Sequence, residues 1–136
     1  TPSLAPLISV LEGKDTKDIA PIVAKTLIGK SAPPEIFDRL VASMTALRKQ
    51  SYLKSLEGTI TYGRIPDFGS FRVPTHVVVG DEDTLTTPAI AREMAAKIPG
   101  AKLTVIGGAG HLSNIEQPAR FNAAVLGFLL AARKAA

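Results

Sequence analysis

Two short loops carry the side chains best suited to chemistry. Gly80-Asp81-Glu82-Asp83 follows one apolar, β-branched run, and Gly107-Gly108-Ala109-Gly110-His111 follows another. If both runs are strands of one sheet, an acid and a histidine 28 residues apart, Asp83 and His111, stand on neighbouring loops at the same sheet edge. An imidazole titrates near neutral pH, so it can take a proton from a hydroxyl nucleophile and return it to a leaving group. A carboxylate on its other ring nitrogen fixes the tautomer and stabilises the imidazolium. The chemistry expected of such a pair is acyl transfer through an activated hydroxyl. Asp81 is the rival for the acid, and Asp81-Glu82-Asp83 together could offer oxygens to a hard cation. No further acids follow at regular loop spacing, so no metal is expected.

The elements that must position this pair can be read from periodicity. Thr75 to Val79, bounded by Pro74 and Gly80, has the continuous β-branched character of a strand buried on both faces. Thr87 is a suitable N-cap and Pro88 a suitable first residue for a helix in which Ile90, Met94 and Ile98 recur four apart, and Gly100 ends it. Lys102 to Ile106 is a second strand, Gly107 to Gln117 a loop, and Pro118 to about Lys134 a last helix carrying Phe121, Val125, Phe128 and Leu129. Strand, helix, strand, helix with short connections implies a parallel βαβ unit. Two strands fall short of the larger covered sheet that a parallel pair needs.

Upstream the texture is helical. Asp18 and Pro21 are expected to open a helix with Ile22, Val23, Leu27 and Ile28, closed by Gly29. After Ala32-Pro33-Pro34, a stripe of Ile36, Leu40, Val41, Met44 and Leu47 predicts a second helix, which could serve packing or substrate contact alike. A shorter one spans Tyr52 to Glu57, and Gly63 to Ser70 reads as a loop.

Composition bounds the remaining possibilities. In 136 residues, 46% are apolar and 21% charged, which excludes a disordered chain, and the absence of cysteine excludes disulfides and thiolate chemistry. The net charge of +4 comes from 16 basic residues interleaved with 12 acids. No basic stripe alternates with stacking aromatics, so nucleic acid is not an expected partner. The arginines Arg39, Arg48 and Arg64 could pair with an acidic substrate, although a solvated surface is the preferred reading of them. The apolar run Ala123 to Ala132 is about half of a membrane span, so no membrane association is expected. His76 reads as a satisfied core histidine, and Gly108-Ala109-Gly110 lacks the third glycine of a dinucleotide loop because Ser113 occupies its place. The start at Thr1-Pro2-Ser3, without an initiator methionine or a leader pattern, leads us to expect a preceding segment.

From Val73 to Phe128 the chain resembles the carboxyl-terminal portion of the α/β-hydrolase superfamily. The resemblance is carried by Pro74, Gly80 to Asp83, Thr87-Pro88, Gly108 to His111, Glu116 to Pro118 and Phe121, in that order and spacing. It implies an α/β fold in which residues 1–63 are a helical lid and 64–136 the last part of the core, with the parallel sheet completed by an N-terminal half. It also implies Asp83 as the triad acid and His111 as the base, with substrate contacts assigned to Leu85, Leu112 and Met44. The family's G-x-S-x-G nucleophile elbow does not occur in this sequence. The nucleophile and the oxyanion hole are therefore expected on an N-terminal half of roughly 130 residues, present as a separate, nicked or processed chain, for a total of about 260. Within the superfamily the run Gly110 to Pro118 looks most like the 3-oxoadipate enol-lactonase group. The resemblance thus implies a cytoplasmic, cofactor-free serine hydrolase acting on an ester, lactone or activated carbon–carbon bond of a small molecule. The alternative is a non-catalytic binding module or receptor on the same fold.

Overall fold

The computed structural model describes residues 9, 12–62 and 66–135. Contacts divide the chain into two compact units, residues 1–26 with 34–65, and residues 27–33 with 66–136.

In the first unit, α1 (Thr16–Leu27) begins where the Asp15 carbonyl accepts the Asp18 and Ile19 amides, at 3.0 and 3.2 Å. Pro21, expected near the helix start, lies inside it. Ile19 and Ala20 before it and Val23 and Ala24 after it form one buried stripe, and that shared face carries the helix through a residue that cannot donate to the turn before it. Ile22 lies off the stripe and is exposed. Helix α2 (Pro34–Thr45) has Pro34 as its first residue and buries Ile36 and Met44, whereas Leu47 falls beyond its end and is exposed. Helix α3 (Lys49–Thr61) is 13 residues long and exceeds the expected Tyr52 to Glu57 at both ends. Its sequence has little apolar periodicity to mark those ends, and the Thr59 and Thr61 hydroxyls bond back to the carbonyls of Ser55 and Glu57.

In the second unit, a 3₁₀ turn, Phe68–Ser70, is capped by the Asp67 carboxylate, which accepts the Gly69 amide at 3.1 Å. Residues 63–65 of that expected loop, Arg64 among them, lie outside the described residues. Strands β1 (His76–Gly80) and β2 (Lys102–Ile106) pair in parallel, His76 opposite Lys102 and Gly80 opposite Ile106. The connecting helix α4 (Pro88–Lys97) starts as expected, with the Thr87 hydroxyl accepting the Ile90 amide at 3.4 Å. Its buried positions are Ala91 and the C-cap Ile98; Ile90 is exposed. Gly100 then turns the chain with φ +68°.

Only the carboxyl end of β1, Val79 and Gly80, is buried; His76 to Val78 are half-covered, because two strands leave sheet area without a covering layer. The expected loop from Gly107 to Gln117 contains a short helix, α5 (Ser113–Glu116), started by the Leu112 carbonyl. Helix α6 (Pro118–Ala135) half-buries Phe121, Val125 and Phe128, but Leu129, expected on the packed face, is exposed together with Leu126 and Leu130. His76 is satisfied at one nitrogen only. Its Nε2 lies 2.9 Å from Thr104 Oγ1, its ring lies 5.0 Å from that of Phe128, and its buried Nδ1 has no partner among the described residues. Burial first, and the charge of Lys102 second, hold its pKa below the ordinary value. No helix among the described residues is long and apolar enough to cross a membrane.

Candidate active site

At the carboxyl ends of the two strands the chain folds into interlocked turns. The Asp81 amide donates to the Ile106 carbonyl at 3.0 Å and the Glu82 amide to the Ala109 carbonyl at 2.9 Å, so the loop after β1 is laid directly against the loop after β2. Three successive acids then diverge. Asp81 accepts the amides of Gly108 and Ala109, at 2.7 and 3.3 Å, and shapes the glycine-rich turn rather than meeting the histidine. Glu82 accepts the amide and the hydroxyl of Ser31, at 2.9 and 2.6 Å. Those bonds hold the Glu82 pKa below the usual carboxylate range. Carboxylates sent to three different partners do not form a cation cage, and no group of three or more metal-ligating side chains occurs among the described residues.

Asp83 is the buried member, 6% exposed. Its Oδ1 accepts the amides of Leu85 and Thr86, at 2.8 and 2.9 Å, an Asx-type turn that locks the carboxylate in place. Its Oδ2 accepts the Thr86 hydroxyl at 2.7 Å and lies 2.9 Å from His111 Nδ1. Burial acts to raise the Asp83 pKa, but the bonds from Thr86, His111 and Leu85 outweigh it and leave the pKa lowered. An ionised carboxylate only accepts, so the hydrogen-bond network assigns the imidazole proton to Nδ1. The lone pair of the neutral ring is then on Nε2, which has no hydrogen-bond partner among the described residues. The His111 side chain is 34% exposed against 4% for Asp83, so the pair is anchored at its acid end and accessible at its base end. Such an arrangement can withdraw a proton from a hydroxyl presented to Nε2 and give it back.

Leu85 and Leu112, named as substrate contacts, flank the pair as half-buried residues whose backbone amides bond to Asp83 and Glu116 respectively. Met44, the third, belongs to the first unit, where it lines a small apolar pocket with Ile19, Ala20, Leu47, Tyr52 and Leu53. Burial raises the pKa of Tyr52 there. Arg39 and Arg48 are exposed. The sequence reading missed Thr86, whose hydroxyl lies 3.2 Å from His111 Nδ1 as well as on Asp83, and the Asp-x-x-Thr spacing of an Asx turn was the available signal. It also gave no role to Glu116, which is buried and accepts three backbone amides.

Comparison with known proteins bears on the family and the fold. Residues 3–124 match the alpha/beta hydrolase family. The chain is 33% identical over 104 residues to the polyketide synthase ThaQ of Burkholderia thailandensis, covering 72% of this chain and 5% of that protein. It is 30% identical over 92 residues to 3-oxoadipate enol-lactonase 2 of Acinetobacter baylyi, covering 68% and 34% respectively. The solved enol-lactonase of Burkholderia xenovorans LB400 superposes with a TM-score of 0.83 at 25% identity, over 93% of this chain and 49% of that one. The chain therefore spans about a third of the length of the curated lactonase and about half of the solved one.

Proposed function

The chain belongs to the α/β-hydrolase family, and from that premise we propose that it supplies the acid, Asp83, and the base, His111, of a Ser-His-Asp triad hydrolysing an ester or lactone bond of a small molecule. The single observation that carries this reading is the 2.9 Å contact from His111 Nδ1 to the buried Asp83 carboxylate, with Nε2 unpartnered among the described residues. The two lactonase relatives support the substrate class. The nucleophile is a serine of an N-terminal half outside this chain, residues 1–63 are the lid segment, and residues 64–136 complete the core.

In the first half-reaction the serine hydroxyl attacks the substrate carbonyl while Nε2 of His111 takes its proton. The imidazolium is stabilised by Asp83 and then protonates the leaving alkoxide. In the second half-reaction His111 takes a proton from water, hydroxide opens the acyl-enzyme, and the serine recovers its proton. The exposed apolar residues Leu126, Leu129 and Leu130 of α6 and Val105 of β2 support association with the rest of the sheet and its covering layers.

The test is hydrolysis of p-nitrophenyl acetate and of a small enol-lactone by the protein in its native assembly, with and without His111→Ala. Turnover that disappears in the variant is the expected result. Undiminished turnover in His111→Ala would overturn the triad assignment, and no hydrolysis by the unaltered protein would leave the receptor reading in its place.

A further inference from the structure

Three consecutive backbone amides surround and include His111, and all three are committed. The Gly110 amide donates to Glu116 Oε2 at 3.0 Å, and the Leu112 amide to Glu116 Oε1 at 3.2 Å. The His111 amide donates to the Leu27 carbonyl at 2.9 Å. Glu116 Oε2 also accepts the amide of Gly29 at 2.7 Å, so one carboxylate, 4% exposed, ties the histidine loop to a segment 87 residues earlier in sequence. No cationic side chain lies within ion-pair distance of Glu116 among the described residues, so backbone dipoles alone compensate the buried carboxylate.

The crossing is tight. A Cβ on Gly110 would fall on the backbone of Ile28 and Gly29, and one on Gly29 would come within 2.8 Å of the Gly110 nitrogen, so both positions need glycine for the chains to pass. The same segment is held a second time, since Ser31 is bonded through its amide and hydroxyl to Glu82, the residue next to Asp83. Residues 27–33 thus form a strap pinned to the acid loop by Glu82 and to the histidine loop by Glu116.

We propose that Glu116 is a positioning residue: by fastening the backbone on both sides of His111 to this strap, it holds the imidazole against Asp83. The assignment rests on the reading of His111 as the base, and it acts through His111 without contact to substrate. Glu116→Gln keeps the shape but replaces one carboxylate oxygen with a donor that faces donor amides.

The experiment is nitrogen NMR on the full chain in its native assembly, with ¹⁵N-labelled histidine. The sequence contains two histidines, so His111 reports on the site and His76 is an internal control for the fold. In Glu116→Gln the expected result is loss of the single Nδ1–H tautomer of His111 with His76 unchanged. Amide exchange at Gly110 and Leu112 should also be faster by about tenfold or more, the loss of one charge-assisted bond. A folded variant with unaltered His111 signals overturns the proposal. If the variant loses the His76 signature as well, the unaltered protein decides: protected Gly110 and Leu112 amides support the clamp, and exchange at open-loop rates overturns it. Failure of the unaltered protein to hydrolyse esters would sink the hydrolase reading without moving these resonances, so the two failures are distinguishable.

Discussion

Replacing Asp83 by Asn changes one atom at the centre of the site, and its consequences can be worked through bond by bond. The Asn oxygen still accepts the amides of Leu85 and Thr86. The new NH₂ takes the place of Oδ2, opposite Thr86 Oγ1 and His111 Nδ1. A donor facing Nδ1–H drives the neutral ring to its other tautomer, with the proton on Nε2, and the base loses the lone pair it would use. In serine proteases the same exchange lowers turnover by about 10⁴, which corresponds to about 5 kcal/mol of transition-state stabilisation. The effect on folding is smaller. The carboxylate loses the charge-assisted bond from His111, worth about 1.5–3 kcal/mol, while the Thr86 hydroxyl can rotate to accept from the new amide. The assay is steady-state hydrolysis of p-nitrophenyl acetate by the assembled protein, with urea unfolding in parallel. A fall in kcat of about 10⁴ with KM nearly unchanged is expected, because the lost interaction is made in the transition state. A folded Asp83→Asn protein with kcat within about tenfold of the parent would refute the reasoning.

Stability should respond to acid in two steps. The folded pKa of His76 is below 6.5, so the neutral ring is favoured in the fold. Its contribution is complete above 6.5 and declines as pH falls from there through the folded value. Asp83 is lowered from 3.8, so its contribution is complete above 3.8 and lost below it, through the folded value. The urea midpoint should therefore fall first below about pH 6.5 and again in the acid range, and a midpoint unchanged between about pH 7 and 5 contradicts the account of His76. In the core, Ile106 is 3% exposed at the end of β2, and Ile106→Ala should lower unfolding free energy by about 2–5 kcal/mol; a loss under about 1 kcal/mol in chemical denaturation would show that the site relaxes around the cavity.

The elements that came through from local pattern are those whose ends are chemically marked. Strand β2 occupies Lys102–Ile106 as its β-branched run implies, and α4 starts at Pro88 behind the Thr87 cap. Helix α3 was underestimated because its outer turns carry no apolar stripe, and α5 was missed because four residues are too short for a periodicity to register. Pro21 misled for a related reason: a proline commonly marks a helix start, yet here a buried face on both sides carries the helix through it.

At the site, residue type and strand-end position were enough to nominate Asp83 and His111, because both belong to loops whose strands are locally encoded and whose parallel pairing follows from the single intervening helix. The choice between Asp81 and Asp83 was a matter of geometry, as only the fold shows that Asp81 is spent on the amides of Gly108 and Ala109. Glu116 and the strap over residues 27–33 were beyond the reach of local reading. A glutamate beside a proline looks like any solvated acid until Gly29 is brought against Gly110, and that approach depends on contacts more than 80 residues apart in sequence. Local propensity and periodicity therefore determined most of the elements of this protein and the two strand-end loops on which Asp83 and His111 stand. Tertiary structure alone decided which buried carboxylates would find backbone donors, since hydrogen bonds between distant segments exist only once packing has removed both partners from water.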